Sequence, residues 1–88
     1  MENSWVPPTS TSLATLGRVL RAYRTAAGLT QEALGYRCGL ARNYVGMVER
    51  GEANISFTAM VRWLAATGIT WERFGRELHD ALGPTGAT

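Results

Sequence analysis

The chain has 88 residues and a mass of 9.6 kDa, the size of a single domain, and 18% of its residues are charged. One cysteine, Cys38, and one histidine, His79, exclude a disulfide framework, a cysteine-based zinc site and a histidine cluster. The net charge of +2 is unevenly distributed along the chain: residues 1–50 hold six arginines and three glutamates, whereas residues 51–88 are slightly acidic. A basic front half suits a nucleic-acid-binding face. With no apolar run of membrane-spanning length and no visible secretory signal, we expect a cytoplasmic protein.

Apolar spacing, glycines and capping hydroxyls predict five short helices and no strand. The expected helices run from about Leu13 to Ala27 with Thr11 or Ser12 as cap, from after Thr30 to Cys38, from Arg42 to Arg50, from after Ser56 to Thr67, and from after Thr70 to Leu82. On helix 4, the residues expected to share one side are Phe57, Met60, Trp63 and Leu64. These helices form one domain, residues 12–82, between a flexible arm (1–11) and a flexible tail (83–88).

Helices 2 and 3 are joined by only three residues, Gly39, Leu40 and Ala41. A short glycine-containing turn between two short helices is typical of a helix-turn-helix. That motif requires small, apolar or turn-forming residues at seven positions, which are filled by Leu34, Gly35, Cys38, Gly39, Leu40, Val45 and Val48. The segment therefore predicts a helix-turn-helix.

The chain also resembles a known family over about residues 13–80. The stretches that carry the likeness are Gly17-Arg-Val-Leu-Arg-Ala-Tyr-Arg, Gly28-Leu-Thr-Gln-Glu-Ala-Leu, Gly39-Leu-Ala-Arg-Asn-Tyr-Val, Val48-Glu-Arg-Gly, Asn54-Ile-Ser-Phe and Gly68-Ile-Thr-Trp-Glu-Arg-Phe. They resemble the phage-repressor-like (XRE or Cro/CI) helix-turn-helix family. Arg42-Asn43-Tyr44 and Asn54-Ile55-Ser56 are most similar to the controller proteins of restriction–modification systems. The sequence departs from the family at Gly46, where serine is usual, and at Thr67, where leucine is usual.

The resemblance implies an all-α, lambda-repressor-like DNA-binding fold of five helices, whose third helix enters the major groove of an operator. The residues agree, because helix 3 presents a polar side opposite Val45 and Val48. Expected base contacts on that side are Arg42, Asn43, Gly46 and Met47. Expected phosphate contacts are Gln31, Tyr44 and Arg37, although Arg37 also fits an ordinary solvated face.

Two further sets of residues are given architectural roles. The resemblance implies that Arg24 and Glu49 form a buried ion pair that orients helix 3 without touching a base. On helix 5 the apolar stripe exceeds what a terminal helix of a small monomer needs to bury, and its members are Trp71, Phe74, Leu78 and Leu82. We expect this stripe, with the end of helix 4, to form a two-fold dimer interface.

These observations favour a homodimeric, sequence-specific transcriptional regulator on a (pseudo)palindromic operator, of the restriction–modification controller type. RNA polymerase is a further candidate partner. The alternatives are an antitoxin or other protein-interaction module of the same fold, or a prophage repressor. No base–nucleophile pair, phosphate-binding glycine loop or metal-ligand spacing is found, so we expect no enzyme, no cofactor, no metal and no small-molecule ligand.

Overall fold

In the computed structural model, residues 10–83 are described, and they contain five α-helices and no strand. The helices are α1 Ser10–Ala26, α2 Gln31–Cys38, α3 Arg42–Glu49, α4 Phe57–Thr67 and α5 Trp71–Leu82. The predicted all-α class is confirmed, and most helix ends lie within one residue of their expected positions.

The start of α1 differs from the prediction. The helix begins at Ser10, so Thr11 and Ser12 lie inside its first turn and neither is the N-cap. Two residues assigned to the flexible arm, 10 and 11, therefore belong to the helix. Serine and threonine can cap a helix or continue it, and no apolar residue before Leu13 fixed the boundary. The remainder of the expected arm, residues 1–9, and most of the expected tail, residues 84–88, lie outside the described residues.

Three of the other four helices begin at capping hydroxyls, and all four end near glycines, as their sequences predict. The exception is α3, which begins after Ala41 and has no side-chain cap hydrogen bond. The side chains of the three N-caps accept hydrogen bonds from backbone N–H groups three residues later, which pairs Thr30 with Ala33, Ser56 with Ala59, and Thr70 with Arg73. Each such cap stabilises its helix by roughly 1 kcal/mol. At the end of α2, Gly39 adopts the left-handed conformation with φ 69°, which glycine reaches without steric cost.

The core lies where α1, α2 and α3 meet α4 and α5. Its buried members are Leu20, Tyr23, Leu34, Cys38, Val45, Val48, Trp63, Leu64 and Phe74. Trp63 is fully buried, and its indole Nε1 donates to the carbonyl of Leu20 at 3.1 Å. Burial raises the pKa of the Cys38 thiol, which therefore behaves as a small apolar core residue.

Close backbone approaches fix the helix-turn-helix in its place. A Cβ at Gly35 would lie 2.5 Å from the carbonyl oxygen of Leu40, so α2 approaches the turn too closely for any other residue. A Cβ at Gly17 would overlap the carbonyl oxygens of Val48 and Glu49. The end of α3 therefore rests directly on α1, and the fold sets the orientation of α3 through backbone contacts.

A polar and aromatic contact attaches α5 to α1. The Tyr23 hydroxyl donates to the Glu77 carboxylate at 2.6 Å, and the rings of Tyr23 and Phe74 meet edge to face at 6.3 Å between centroids. Burial and the Glu77 carboxylate raise the pKa of Tyr23 to about 12. Phe74 thus belongs to the core of this chain, and little of its ring is left for a second copy.

Candidate nucleic-acid interface

The outer face of α3 forms a shallow depression at the junction with the start of α2. Arg42 and Asn43, in the first turn of α3, are exposed, and Met47, one turn further on, is half-buried. The residues that line the depression are Gln31, Arg42, Asn43, Gly46, Met47, Arg50 and Glu52. The structure therefore brings all four expected base-contact residues together at one surface, where guanidinium and amide donors project outward.

Gly46 occupies the floor of this depression rather than its rim. The residue is buried, and a Cβ there would lie 3.0 Å from Arg50 Nη1 and 3.6 Å from the Gln31 amide. Both neighbours are ends of flexible side chains, so packing alone does not require glycine at this position. A base edge reaches the backbone of Gly46 only if these two side chains move aside.

A buried ion pair lies directly behind the depression. Arg24 donates from Nε to Glu49 Oε2 at 2.6 Å and from Nη2 to Oε1 at 3.0 Å, and both residues are less than one-tenth exposed. Arg24 Nη1 also donates to the carbonyl of Leu29 at 2.8 Å. The structure thus places the two partners that the sequence singled out in a bidentate contact, which joins α1 to the end of α3.

The side chain of Gln31 has an internal partner. Its side-chain Nε2 donates to Glu49 Oε1 at 3.1 Å, which directs one of its two N–H groups toward the ion pair. Glu49 therefore links α1, the start of α2 and α3 through one carboxylate. The backbone N–H groups at the start of α2, which a first helical turn leaves without an intrahelical acceptor, lie beside this side chain, and the phosphate contact expected here stays a prediction.

Tyr44 also has an internal partner. Its hydroxyl donates to the carbonyl of Asn54 at 2.8 Å and holds the loop of residues 50–56 against α3. A phosphate oxygen can only accept a hydrogen bond, so the expected phosphate contact is not available to Tyr44 while this bond holds. Arg37, the third expected phosphate contact, is exposed in the last turn of α2 and lies outside the lining of the depression.

An exposed ion pair on the rim was missed by the sequence reasoning. Arg50 donates from Nε to Glu52 Oε2 at 3.1 Å and from Nη2 to Oε1 at 3.2 Å. Donation of these hydrogen bonds to the Glu52 carboxylate raises the pKa of the Arg50 guanidinium, which stays charged in any case. Helical spacing could have found Arg50, because it follows Asn43 by seven residues and Met47 by three and so shares their side of α3.

The second exposed feature is an aromatic patch on α4 and α5. Phe57, expected to share one side of α4 with the buried Trp63, is 74% exposed and stacks on Trp71 with 5.7 Å between ring centroids. As the first residue of α4, Phe57 precedes the part of that helix that packs on the core. Of the stripe expected on α5, Trp71 is half exposed, while Leu78 and Leu82 are half-buried.

The described part of the chain contains neither a membrane span nor a metal site. No helix within residues 10–83 is long and apolar enough to cross a bilayer. Over the same residues, no three of the side chains that commonly ligate metals gather at one point.

The chain is also similar to known proteins. A model of the helix-turn-helix domain matches residues 15–74, which is most of the chain. This chain belongs to the helix-turn-helix family. Its helix-turn-helix domain is similar to control protein C.SmaI of Serratia marcescens, with 39% identity over 46 residues, 52% of this chain and 55% of that protein. The matches span about half the length of the curated relatives.

Two solved structures extend the likeness of this helix-turn-helix protein. The restriction-modification controller protein C.AhdI from Aeromonas hydrophila is 41% identical, with a TM-score of 0.68 over 72% of this chain and 96% of that chain. The controller protein C.Esp1396I, solved as a tetramer with its natural 35 base-pair operator, shares the fold at a TM-score of 0.74 and 24% identity, over 84% and 97% of the two chains. The resemblance to controller proteins is therefore confirmed, and the family is one of DNA-binding regulators rather than a class of enzymes.

Proposed function

We propose that this helix-turn-helix protein is a cytoplasmic, sequence-specific transcriptional regulator of the restriction–modification controller type. The observation that carries the proposal is the exposed polar side of α3, where Arg42, Asn43 and Met47 project beside Arg50. Arginine can donate two hydrogen bonds to guanine, asparagine can pair with adenine, and methionine can contact a thymine methyl. The likeness to C.AhdI and C.SmaI supports the controller type.

The proposed docking places α3 in the major groove and α2 across the adjacent backbone. The bidentate pair of Arg24 with Glu49 ties the inner side of α3 to α1, so the side chains on its outer side project from a helix of fixed orientation. Preorganised side chains lose less conformational entropy on binding, which favours discrimination between sequences. Arg37 and the backbone N–H groups at the start of α2 supply contacts to phosphate, which carry no base information.

A homodimer on a (pseudo)palindromic operator completes the proposal. Phe57 and Trp71 form an exposed aromatic surface on one side of the molecule, and single domains of this size seldom leave stacked aromatic rings open to water. In a two-fold dimer formed through this surface, each protomer presents one α3 to one half-site, and half-sites one helical turn apart require the two helices to lie roughly 34 Å apart. RNA polymerase is the further partner that an activating controller protein requires.

Selection from a pool of randomised DNA duplexes tests the function directly. The wild-type chain is expected to enrich an inverted repeat whose half-sites are about one helical turn apart. The matched control is the Arg42→Ala, Asn43→Ala double variant, which keeps the fold but removes two base-reading side chains. Enrichment of no sequence by the wild-type chain, or of the same sequence by the double variant, would contradict the proposal.

The dimer surface gives a separate prediction. Replacing Phe57 and Trp71 together by serine is expected to raise the dimer dissociation constant about tenfold or more, because burying one such side chain contributes roughly 1.5–3 kcal/mol. Sedimentation velocity over a concentration series measures this constant. Tyr36→Ser is the control, since Tyr36 is an exposed aromatic residue on α2 that makes no ring contact with Phe57 or Trp71. Equal dissociation constants for the wild-type and double-variant proteins would show that the dimer interface lies at another surface.

A further inference from the structure

The ion pair of Arg50 with Glu52 is unusual in its placement. Both side chains are more than half exposed, and both line the same depression as Arg42 and Asn43. An exposed pair of this kind contributes little to stability. A carboxylate on a surface that faces DNA is also repelled by phosphates. Neither stability nor simple attraction therefore explains why an acid lies here.

The hydrogen-bond geometry shows what the acid does to the arginine. A guanidinium has two edges that can each donate a pair of parallel hydrogen bonds. Glu52 occupies the side edge, formed by Nε and Nη2. The end edge, formed by Nη1 and the second hydrogen of Nη2, remains available. Arg50 Nη1 lies 3.0 Å from the position that a Cβ would take at Gly46. One nitrogen of the available edge, Nη1, therefore lies beside the floor of the depression, close to α3.

Gly46 leaves room for this arrangement, although packing alone does not require glycine here. Its missing side chain leaves the guanidinium of Arg50 and the amide of Gln31 as the nearest groups above the helix. A glycine in a helix interior costs roughly 1 kcal/mol relative to alanine, and only flexible side-chain ends border this one. The open floor allows the end edge of Arg50 to lie low against α3 rather than being lifted away from it.

Resting on the proposed function, we propose that Arg50 reads a guanine in each half-site and that Glu52 is the residue that positions it. Glu52 fixes the long side chain before DNA arrives, so binding costs less conformational entropy. It also offsets the charge of Arg50, which weakens attraction to any DNA regardless of sequence. Both effects raise the ratio of specific to non-specific affinity, and the end edge matches the O6 and N7 acceptors of guanine.

The test measures that ratio at one fixed salt concentration. The probes are the duplex selected by the wild-type chain and a scrambled duplex of equal length and composition. Glu52→Ala is expected to lower the ratio about fivefold, with weaker binding to the selected duplex and slightly tighter binding to the scrambled one. Glu32→Ala is the matched control, because Glu32 is an exposed acid in the first turn of α2 outside the depression. This variant is expected to bind both duplexes more tightly by the same factor and so to leave the ratio of the two affinities unchanged.

A second background shows whether Glu52 acts through Arg50. Arg50→Ala is expected to lower the ratio about tenfold, and Arg50→Lys nearly as much, because an ammonium group cannot donate two parallel bonds to one guanine. Adding Glu52→Ala to Arg50→Ala should change the ratio no further. An equal gain in affinity for both duplexes in Glu52→Ala, or the same fivefold loss without Arg50, would overturn the inference. Failure of the wild-type chain to select any duplex would instead overturn the proposed function beneath it.

Discussion

Glu49→Ala is expected to lower the free energy of unfolding by about 3 kcal/mol, a large share of the stability of a domain of this size. The substitution removes the carboxylate that accepts two hydrogen bonds from Arg24 and one from Gln31. Arg24 is only 8% exposed, and its remaining bond, to the carbonyl of Leu29, leaves most of its charge without a partner. Thermal and urea denaturation of the two proteins measure the loss.

Two controls separate the buried pair from a general effect of charge. Replacing Arg24 by methionine and Glu49 by leucine together is expected to cost much less than Glu49→Ala, because no charge is then left buried. Glu52→Ala removes an acid from an exposed pair and is expected to leave the melting temperature essentially unchanged. Unchanged stability of Glu49→Ala together with tighter DNA binding would show that Glu49 acts at the interface instead.

Arg42→Ala is expected to weaken binding to the selected duplex by roughly 1–3 kcal/mol and to relax the base preference at one position in each half-site. Arg42 is exposed in the first turn of α3, so its removal should not disturb the core. Affinities for the selected duplex and for single-base variants of it give both quantities.

The matched control for Arg42→Ala is Arg37→Ala, which removes the same side chain from the exposed end of α2. That variant is expected to lower the affinity for all sequences about equally, because a phosphate contact carries no base information. If Arg42→Ala also lowers the affinity for every sequence equally, Arg42 contacts only the DNA backbone and other residues of α3 read the bases.

Local sequence signals predicted the helices well, for an identifiable physical reason. Thr30, Ser56 and Thr70 each cap the helix that follows, and glycines with positive φ follow or closely follow the helix ends. Such signals act over three or four residues and are visible in the sequence. The start of α1 lacks such a signal, because its first turn contains only hydroxyl-bearing and apolar residues, which can lie either before a helix or inside it.

The candidate site was predictable in its location but not in its contacts. The spacing along α3 placed Arg42, Asn43 and Met47 on the outer side, as the structure does. The inward bond from Gln31 to Glu49 spans 18 residues, and no local pattern shows it. The same holds for the bond from Tyr44 to Asn54, which depends on how the 50–56 loop folds back on α3. Partners that tertiary packing creates are not encoded in local spacing.

The central claim is that the outer side of α3 is the surface that binds DNA. Titration of the ¹⁵N-labelled chain with the selected duplex, followed by NMR, tests it most directly. We expect large shifts for the backbone and side-chain signals of α3 and the start of α2, at Gln31, Arg42, Asn43, Met47 and Arg50, with the buried signals of Trp63 little changed. Large shifts confined to the patch at Phe57 and Trp71, with α3 unaffected, would contradict it.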